Sequence, residues 1–375
     1  MRVARRLFGV LPTCSHSSSL AASVPLLART TSRRQSFFQA VAKVSQVDQG
    51  VGKLKVVEVK TPPKVGAQQA LVRVDSVGLN HADYLMATGM HHLKLESPFV
   101  PGFEFAGEVQ AVGEAVSNLS SGDRVVGIKT TGTGALSQLC LAEQHELYAI
   151  PHSLDYETAA SLPVAYGTAH EALRRARFAG ADAPPDEPAL LVLTSRGSTG
   201  LAAIDLALNL FRSTQVLAAA GTEEKCAVLR QTGVLSTIEY TDENLLKTVR
   251  KKTRSNGVDV VLDTVGGDCA VRALECLRPG GHFVSAGFSS GRVPQFSLRD
   301  LMRLEASVSG VWLGGFASRA PSAFEEMIKM VVAQVSDQYL TPVVAETFPL
   351  EEVNAAFDRL VAHGGCLGKV VVTLR

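Results

Sequence analysis

The chain has 375 residues, of which 46% are hydrophobic, 19% charged and 6% aromatic, with a formal net charge of +1. These values are ordinary for a soluble α/β protein, and the length is sufficient for two domains that each bury a core. No run of 18 or more apolar residues occurs, so we expect no membrane span.

Cysteine spacing argues against a stabilising framework of metals or disulfides. None of the six cysteines forms a C-x-x-C pair, a spacing that favours neither a structural zinc site nor a disulfide framework and is typical of a reducing compartment. They are Cys14, Cys140, Cys226, Cys269, Cys276 and Cys366.

Charge is distributed unevenly along the chain. The first 47 residues hold seven basic residues and no acidic one, which leaves 30 basic and 36 acidic residues in the remainder. An acidic body argues against a nucleic-acid-binding surface. Residues 1–39 are rich in Arg and Ser, which predicts a disordered mitochondrial transit peptide and a location in the matrix. A basic tail that the mature protein keeps is the alternative.

The next segment is rich in β-strand signals. Short runs with β-branched residues lie between Gly and Pro breaks, which predicts a barrel-like module of strands. The predicted strands are Leu54–Val59, Ala70–Val77, Phe105–Val112 and Arg124–Ile128. From Asp155 onward the pattern becomes helical, with predicted helices at Tyr156–Leu162 and Thr168–Arg177.

A strand, a turn of small residues, a helix and a second strand follow one another between residues 190 and 220. The apolar runs Leu190–Leu193 and Val216–Ala220 read as buried strands, and Leu201–Phe211 reads as a helix. This order is that of the βαβ unit of a dinucleotide-binding domain.

The turn of this unit carries two glycines with separate purposes. Gly200 allows the helix to pack closely on the strand, and Gly197 allows the backbone to approach a pyrophosphate at the helix N-terminus. Thr194 stands where the common pattern has its first glycine, and a plain strand-to-helix turn would also need small residues.

The end of the second strand indicates which dinucleotide is preferred. Thr222 and Lys225 lie where an acidic residue usually holds the ribose 2′-hydroxyl, and a hydroxyl and an ammonium suit a 2′-phosphate better. Glu223 and Glu224 argue mildly the other way, although acidic residues also favour a helix start. NADP(H) is therefore the predicted cofactor.

The alternation of strands and helices continues to Leu298, with a further buried strand at Val258–Asp263. Beyond it, strands at Ser307–Val311 and Lys369–Thr373 are assigned to a return of the first domain. The predicted architecture is a barrel-like domain, residues 40–163 and 299–375, interrupted by a doubly wound domain, residues 164–298.

This layout and seven stretches of sequence resemble the zinc-independent quinone oxidoreductases of the medium-chain dehydrogenase/reductase superfamily. The resemblance covers nearly all of residues 50–375 and implies a GroES-like β-barrel catalytic domain around a Rossmann domain, NADPH in the cleft, and a homodimer. The stretches are GLNHADYLMATG (78–89), PFVPGFEFAGEVQAVGEAV (98–116), GDRVVG (122–127), LPVAYGTAHEAL (162–173), AAAGTEEK (218–225), VDVVLDTVGG (258–267) and GKVVVTL (368–374).

The resemblance also implies that no metal is bound. Zinc-dependent alcohol dehydrogenases of the superfamily use a Cys near the 78–80 region and a His in a G-H-E motif. This chain has Gly78-Leu79-Asn80 and Gly102-Phe103-Glu104 at those places. Zinc requires imidazole or thiolate donors at tetrahedral spacing, which Glu104 alone cannot supply.

Three residues are candidates for the reaction itself. Asn80 matches the family's active-site asparagine, which would donate a hydrogen bond to the developing oxyanion. His91 stands where the family often has a proton-donating tyrosine, and Tyr84 is offset by one from a second family tyrosine. Asp83 is expected to fix the local backbone, and Lys369 to be structural.

The cofactor contacts that the resemblance implies surround the whole dinucleotide. Thr168 would lie near the nicotinamide, and the turn would hold the pyrophosphate. The full set is Thr168, Gly197, Ser198, Thr199, Gly200, Thr222, Lys225, Tyr240, Gly287 and Phe288.

These observations together predict an NADPH-dependent oxidoreductase that transfers hydride to a quinone or another α,β-unsaturated carbonyl without zinc. One alternative is a mitochondrial reductase of enoyl thioesters. Another is a catalytically silent NADPH-binding sensor or moonlighting protein, which the changed tyrosines and the missing glycine would explain.

Overall fold

The structure is a computed structural model that describes residues 36–41, 53–91, 93–129, 133–178, 188–194, 197–212, 215–240, 245–362 and 367–375. All of these belong to one compact unit, residues 35–375. Residues 1–35 of the predicted leader, and Ser195 and Arg196 of the predicted turn, lie outside the described residues.

Fifteen strands and eleven α-helices make up the described part of the chain. The strands are β1 (Phe37–Val41), β2 (Lys55–Val59), β3 (Gln69–Leu79), β4 (Glu104–Val112), β5 (Arg124–Ile128), β6 (Leu139–Glu143), β7 (Leu147–Ala149), β8 (Leu190–Leu193), β9 (Val216–Ala220), β10 (Ser236–Glu239), β11 (Val258–Asp263), β12 (Leu277–Ser285), β13 (Ser307–Gly310), β14 (Val344–Pro349) and β15 (Lys369–Thr373). The helices are α1 (His81–Ala87), α2 (Tyr156–Ala160), α3 (Pro163–Arg175), α4 (Ser198–Asp205), α5 (Glu223–Arg230), α6 (Leu245–Lys252), α7 (Gly267–Leu274), α8 (Leu298–Leu304), α9 (Leu313–Arg319), α10 (Pro321–Ser336) and α11 (Val353–Val361).

Six strands form a parallel sheet in the order β10-β9-β8-β11-β12-β13. The chain runs from β8 outward to β9 and β10, then returns to the other side of β8 at β11. The strand order therefore reverses between β8 and β11, which is where open parallel sheets bind ligands. The predicted doubly wound sheet is confirmed.

The boundary predicted at residue 298 is too early for this sheet. β13 pairs in parallel with β12, with Gly310 opposite Ser285, so it belongs to the parallel sheet and not to the barrel-like domain. The strand has only four residues, and its burial pattern shows no buried position. Such a short, polar segment carries no hydrophobic pattern that would assign it to either domain.

Apolar packing on both faces holds the parallel sheet in place. The four side chains of β8 are fully buried and alternate between two clusters. Leu190 and Val192 belong to the cluster that includes α4, and Leu191 and Leu193 belong to the cluster that includes α7. Burial of each such side chain contributes roughly 1.5–3 kcal/mol, which explains the uninterrupted apolar run in the sequence.

The second large sheet is the barrel-like one, in the order β14-β15-β3-β4-β5-β7, with β6 also paired to β3. β3 is its longest strand, with 11 residues, and lies antiparallel to β4, β6 and β15. The register sets Gly78 of β3 opposite Glu104 of β4 on one side and Val371 of β15 on the other. β3, β4 and β15 therefore lie side by side immediately before Asn80.

A two-stranded ribbon corrects the prediction that residues 1–39 are disordered. β1 pairs antiparallel with β2, and Phe37 at its start is buried. The backbone N–H of Phe38 donates to Gln138 Oε1 at 2.8 Å, so the ribbon is also attached to the barrel-like domain. Residues 37–39 thus belong to the folded protein. Their composition does not separate them from the leader, because they follow its Arg and Ser residues directly.

No helix in the described ranges combines the length and the hydropathy needed to cross a membrane.

The contact between β4 and β5 makes a testable prediction about packing. Gly127 lies opposite Phe105, and a Cβ at Gly127 would lie 2.4 Å from the buried Phe105 ring. We expect Gly127→Ala to lower the free energy of unfolding by about 1–3 kcal/mol, because the ring has no free space. Gly310→Ala is the matched control, since a Cβ there meets nothing within 4 Å. Urea denaturation followed by circular dichroism would show equal midpoints for both variants if the packing argument were wrong.

Candidate active site

The turn after β8 presents a helix N-terminus at the carboxyl edge of the parallel sheet. Gly197 is the N-cap of α4 and has extended backbone angles, φ −96° and ψ 139°. The first N–H groups of the helix, at Ser198, Thr199 and Gly200, have no acceptor within the helix and lie at the positive end of its dipole. The structure therefore brings these four predicted phosphate contacts together.

Close packing explains both Gly200 and the threonine in place of the usual first glycine. A Cβ on Gly200 would lie 2.4 Å from Thr194 Oγ1, so the helix could not approach the strand with any larger residue. Thr194 is fully buried, and its backbone N–H donates to Ala219 O at 2.9 Å. Thr194 thus occupies the space that Gly200 leaves open.

Three buried hydroxyls near this sheet edge have no hydrogen-bond partner among the described residues. They are Thr194 Oγ1 after β8, Ser285 Oγ at the end of β12, and Ser289 Oγ in the loop that follows. An unpartnered buried polar group costs roughly 1–3 kcal/mol. Their clustering at the carboxyl edge fits a polar ligand that binds across the strand ends.

A second group of predicted contacts lies at the ends of β9 and β10. Thr222 is the N-cap of α5, and its hydroxyl accepts a hydrogen bond from the Lys225 N–H at 3.4 Å. The Lys225 side chain is only 8% exposed. Tyr240 lies beside Gly221, where a Cβ would be 2.8 Å from the Tyr240 hydroxyl. Thr222, Lys225 and Tyr240 therefore all follow the ends of β9 and β10, where the ribose phosphate is expected.

The end of β11 supplies a residue that the sequence reading did not single out. The Asp263 carboxylate accepts hydrogen bonds from Val265 N at 2.8 Å and Gly266 N at 3.0 Å, which fixes the turn into α7. Burial raises the pKa of Asp263 to about 6, and the two N–H groups oppose that rise. The signal was an Asp at the end of an apolar strand, three residues before the Gly266-Gly267 pair.

Gly287 and Phe288 follow β12 at the same edge. Phe288 is exposed, and its ring lies 3.1 Å from where a Cβ on Gly266 would be. These two predicted contacts therefore neighbour the Asp263 turn.

On the barrel side, every polar atom of the Asn80 amide has a partner. Lys369 Nζ donates to Asn80 Oδ1 at 2.8 Å, while Asn80 Nδ2 donates to Glu104 Oε1 at 2.9 Å and to Gly78 O at 3.2 Å. Both amide hydrogens are engaged in this conformation. The geometry thus gives Asn80 a different role from the predicted oxyanion donor, because it has no hydrogen left to donate.

Glu104 and Lys369 form a buried ion pair at the centre of this arrangement. Neither side chain is more than 1% exposed. The second Glu104 oxygen, Oε2, accepts a hydrogen bond from Val164 N at 2.7 Å, in the first turn of α3. The sequence reading considered Glu104 only as a zinc ligand. No local pattern pairs two residues so far apart in the chain.

Asp83 completes this polar group. Its Oδ2 accepts a hydrogen bond from the Asn80 backbone N–H at 2.8 Å, which agrees with the expected role in fixing the local backbone. Burial raises the pKa of the Asp83 carboxyl to about 7, helped by the nearby charge of Glu104 and opposed by the Asn80 N–H and by Lys369.

The other two predicted catalytic residues lie in and just after α1. Tyr84 stacks on His81 with ring centroids 5.7 Å apart and packs against the barrel core. His91 Nδ1 accepts a hydrogen bond from Leu93 N at 3.2 Å, which leaves the proton of the neutral ring on Nε2. Its ring makes an edge contact with Phe103.

Thr168 lies in α3, the helix that contacts both the barrel-like domain and the parallel-sheet domain. It is 8% exposed and lies four residues after Val164, about one turn along α3. The first turn of α3 is bonded to Glu104 of the barrel, while the same helix packs beside α4 of the parallel sheet.

The donor set at the barrel end does not suit zinc. Asn80, Phe103 and Glu104 stand where donors would be needed, and the Lys369 ammonium lies against Glu104. Within the described ranges, no three His, Cys, Asp or Glu side chains are grouped to hold a metal ion.

Two family models match the chain, one within the barrel-like domain and one mainly within the parallel-sheet domain. The model described as the alcohol dehydrogenase GroES-like domain matches residues 66–152, and the zinc-binding dehydrogenase model matches residues 198–333.

Similar proteins match over most of their length. Quinone oxidoreductase-like protein 2 homolog of Nematostella vectensis is 35% identical over 87% of each chain. The Bos taurus quinone oxidoreductase-like protein 2 is 35% identical over 85% of this chain and 89% of its own. The crystal structure of the Thermus thermophilus quinone oxidoreductase, described also in complex with NADPH, has a TM-score of 0.73 and 29% identity, and covers 90% of this chain and 100% of that one. The chain therefore belongs to the quinone oxidoreductase family of the medium-chain dehydrogenase/reductase superfamily.

Proposed function

We propose that the protein is a zinc-independent, NADPH-dependent reductase that transfers hydride to a quinone or another α,β-unsaturated carbonyl compound. The observation that carries the proposal is the carboxyl edge of the parallel sheet. There the N-terminus of α4 and three hydroxyls without a partner among the described residues lie at the strand ends, with Lys225 near the end of β9 and Tyr240 directly after β10. The names of the similar proteins support the acceptor class.

The residues present fit NADPH at each charged position. The first N–H groups of α4 would receive the pyrophosphate. Lys225 would pair with the 2′-phosphate, and Thr222 would hold the start of α5 in place through its cap. Thr168, Gly287 and Phe288 would border the nicotinamide end.

Bound NADPH supplies the hydride, and the protein supplies orientation and a proton. His91 is the proton donor that we favour, because its Nδ1 accepts from Leu93 N and its Nε2 therefore carries the proton. Asn80 orients the backbone around α1 and does not contact the acceptor oxygen. Tyr84 packs against the barrel core and contributes to the shape of the acceptor side of the site.

Independence from zinc is supported by the donor chemistry at the barrel end. An amide, a phenyl ring and an ion-paired carboxylate replace the imidazole and thiolate ligands that zinc prefers. We propose also that residues before β1 direct the protein to the mitochondrial matrix, as their basic, acid-free composition suggests.

A homodimer is the assembly that we propose, formed through β13. Among the described strands, β13 pairs only with β12, so its outer edge presents backbone groups, of which the Gly310 carbonyl accepts a hydrogen bond from Arg175 at 3.0 Å. Leu298 and Met302 lie one turn apart on neighbouring α8 and are 76% and 80% exposed, and Val308 of β13 is also exposed. A second copy placed antiparallel along this edge would extend the sheet and cover these side chains symmetrically.

The reaction is tested by NADPH oxidation at 340 nm with the full-length protein. We expect turnover with ortho- or para-quinones or small enones, unchanged by a metal chelator and weaker with NADH. A trans-2-enoyl thioester is included because turnover with it alone would favour the thioester reductase. If NADPH binds, as judged by fluorescence, but no acceptor is reduced, the protein is a binding module and the proposal fails.

Cofactor preference is tested by Lys225→Met, which keeps the aliphatic part of the side chain. We expect the Kd for NADPH to rise about 10- to 100-fold, because a charged hydrogen bond to phosphate is worth roughly 1.5–3 kcal/mol. The Kd for NADH should change less than about twofold, because it has no 2′-phosphate. Lys247→Met, at an exposed position of α6, is the control. Equal losses for both cofactors would contradict the assigned 2′-phosphate contact.

The assembly is tested by Leu298→Glu combined with Met302→Glu. We expect wild-type protein to elute with twice the chain mass in size-exclusion chromatography with light scattering, and the double variant to be a monomer, because buried unpaired charges oppose association. Val228→Glu, on the exposed face of α5, should remain a dimer. A monomeric wild type, or a dimeric double variant, would rule out this interface.

A further inference from the structure

A buried ion pair lies at the point where the barrel meets the first helix of the parallel-sheet domain. Glu104 of β4 and Lys369 of β15 are almost completely buried, and they contact each other directly. Around them lie the Asn80 amide, the Gly78 carbonyl and the Val164 N–H. Four segments of chain thus converge on two charges: residues 78–80, β4, β15 and the start of α3.

Stability alone does not explain why this position is charged. Removing two ions from water costs several kcal/mol each, and a well-packed apolar pair of similar volume is often as stable as the ion pair or more so. The Glu104 carboxylate is nevertheless well bonded, because both of its oxygens accept hydrogen bonds, and so does the Asn80 amide oxygen. Hydrogen bonds to a charged group fix its orientation as well as its distance from its partners.

We propose that Glu104 and Lys369 are positioning residues for hydride transfer, which align the acceptor side of the site with the nicotinamide side. The inference rests on the proposed function, since it assigns these residues to the same reaction. Neither residue is assigned a contact with cofactor or acceptor.

The first connection runs from Glu104 to the cofactor side. Its Oε2 accepts from Val164 N, a group near the start of α3 that has no acceptor inside the helix. A carboxylate there also complements the helix dipole. Because Thr168 follows one turn later, this hydrogen bond, together with the apolar packing of α3 on the barrel, sets the position of Thr168 relative to the barrel.

The second connection runs from Lys369 to the acceptor side. Lys369 Nζ donates to Asn80 Oδ1 and so selects one orientation of the Asn80 amide, which in turn bonds Glu104. Asn80 precedes α1, the helix that leads to His91. The ion pair therefore sets the start of the segment that carries the proposed proton donor.

The surroundings of Gly78 show that no free space remains beside the Glu104 carboxylate. A Cβ there would lie 2.3 Å from Ala160 O and 2.9 Å from Glu104 Oε1. β3, α2 and Glu104 are thus in direct contact. A shift of the Glu104 carboxylate would therefore also displace its hydrogen-bond partners, Val164 N and the Asn80 amide.

The test compares Glu104→Gln, Lys369→Met and the double variant Glu104→Leu/Lys369→Met. Each single variant leaves a buried polar group unpaired, whereas the double variant is apolar at both positions. The matched control is Lys129→Met/Glu146→Leu, which removes another largely buried ion pair of the barrel, one with no bond to Asn80 or α3. Melting temperature, kcat, and the affinities for NADPH and adenosine 2′,5′-bisphosphate are measured.

We expect the double variant to melt above either single variant, because it leaves no unpaired buried charge, and below wild type, because Val164 N and the Asn80 amide lose their partners. Assayed well below its melting temperature, its kcat should stay about 10-fold or more below wild type, because misplacement of reacting groups is costly even when small. Affinity for adenosine 2′,5′-bisphosphate should change less than about twofold, since the helix N-terminus of α4 and Lys225 are untouched. The control pair should keep its kcat. Recovery of kcat together with stability would show that the pair is only structural and would overturn the proposal.

Amide hydrogen exchange separates this inference from the proposed function. We expect faster exchange in residues 164–168 of the double variant than of wild type under conditions of equal global stability, because Val164 N has lost its acceptor. Unchanged exchange would overturn the proposal whether or not the enzyme turns over. A wild-type protein that reduces no acceptor would instead overturn the proposed function.

Discussion

The Glu104 carboxylate is the group on which the geometry of the candidate site depends. It lies in a strand of the barrel, pairs with Lys369 from the last strand, orients Asn80, and accepts a hydrogen bond from the first turn of α3. In the proposed reaction the two domains would need a fixed reference between them, because hydride transfer tolerates little displacement of its partners. We propose that this buried carboxylate, hydrogen-bonded at both oxygens, supplies that reference at a cost in desolvation.

The cofactor side obeys a different constraint, which is close approach. Gly200 has no room for a Cβ against Thr194, so α4 lies close to β8 and its N-terminus points across the sheet edge. The hydroxyls of Thr194, Ser285 and Ser289 at the strand ends have no hydrogen-bond partner among the described residues. A polar ligand bound there would supply partners for these three hydroxyls. The barrel side of the site is thus ordered by hydrogen bonds within the protein. The sheet edge instead has hydroxyls to which a bound ligand would hydrogen-bond.

The parts of the fold that could be predicted were those with a local pattern. β8 and β9 are fully buried and are uninterrupted apolar runs, and β11 is almost fully buried with Asp259 and Asp263 as its only polar residues, so all three were predicted with the observed bounds. The prediction for β13 named the wrong domain because its four residues, three exposed and one half-buried, carry no such pattern. β1 was not predicted because it follows the basic segment directly. In the site, the glycine turn was predictable from its spacing. The bonding of Asn80 was not, because its partners come from β4 and β15 and meet only in the folded chain.

Single-turnover oxidation of NADPH tests the central claim, hydride transfer without a metal, most directly. Full-length protein is freed of metal with a chelator, its metal content is checked by mass spectrometry, and it is mixed in a stopped-flow instrument with a quinone and either NADPH or NADPH deuterated at the transferred position. The account predicts complete oxidation of bound NADPH by metal-free protein, slowed by a primary isotope effect. No oxidation until zinc is restored, or oxidation with no isotope effect on an isolated chemical step, would contradict it.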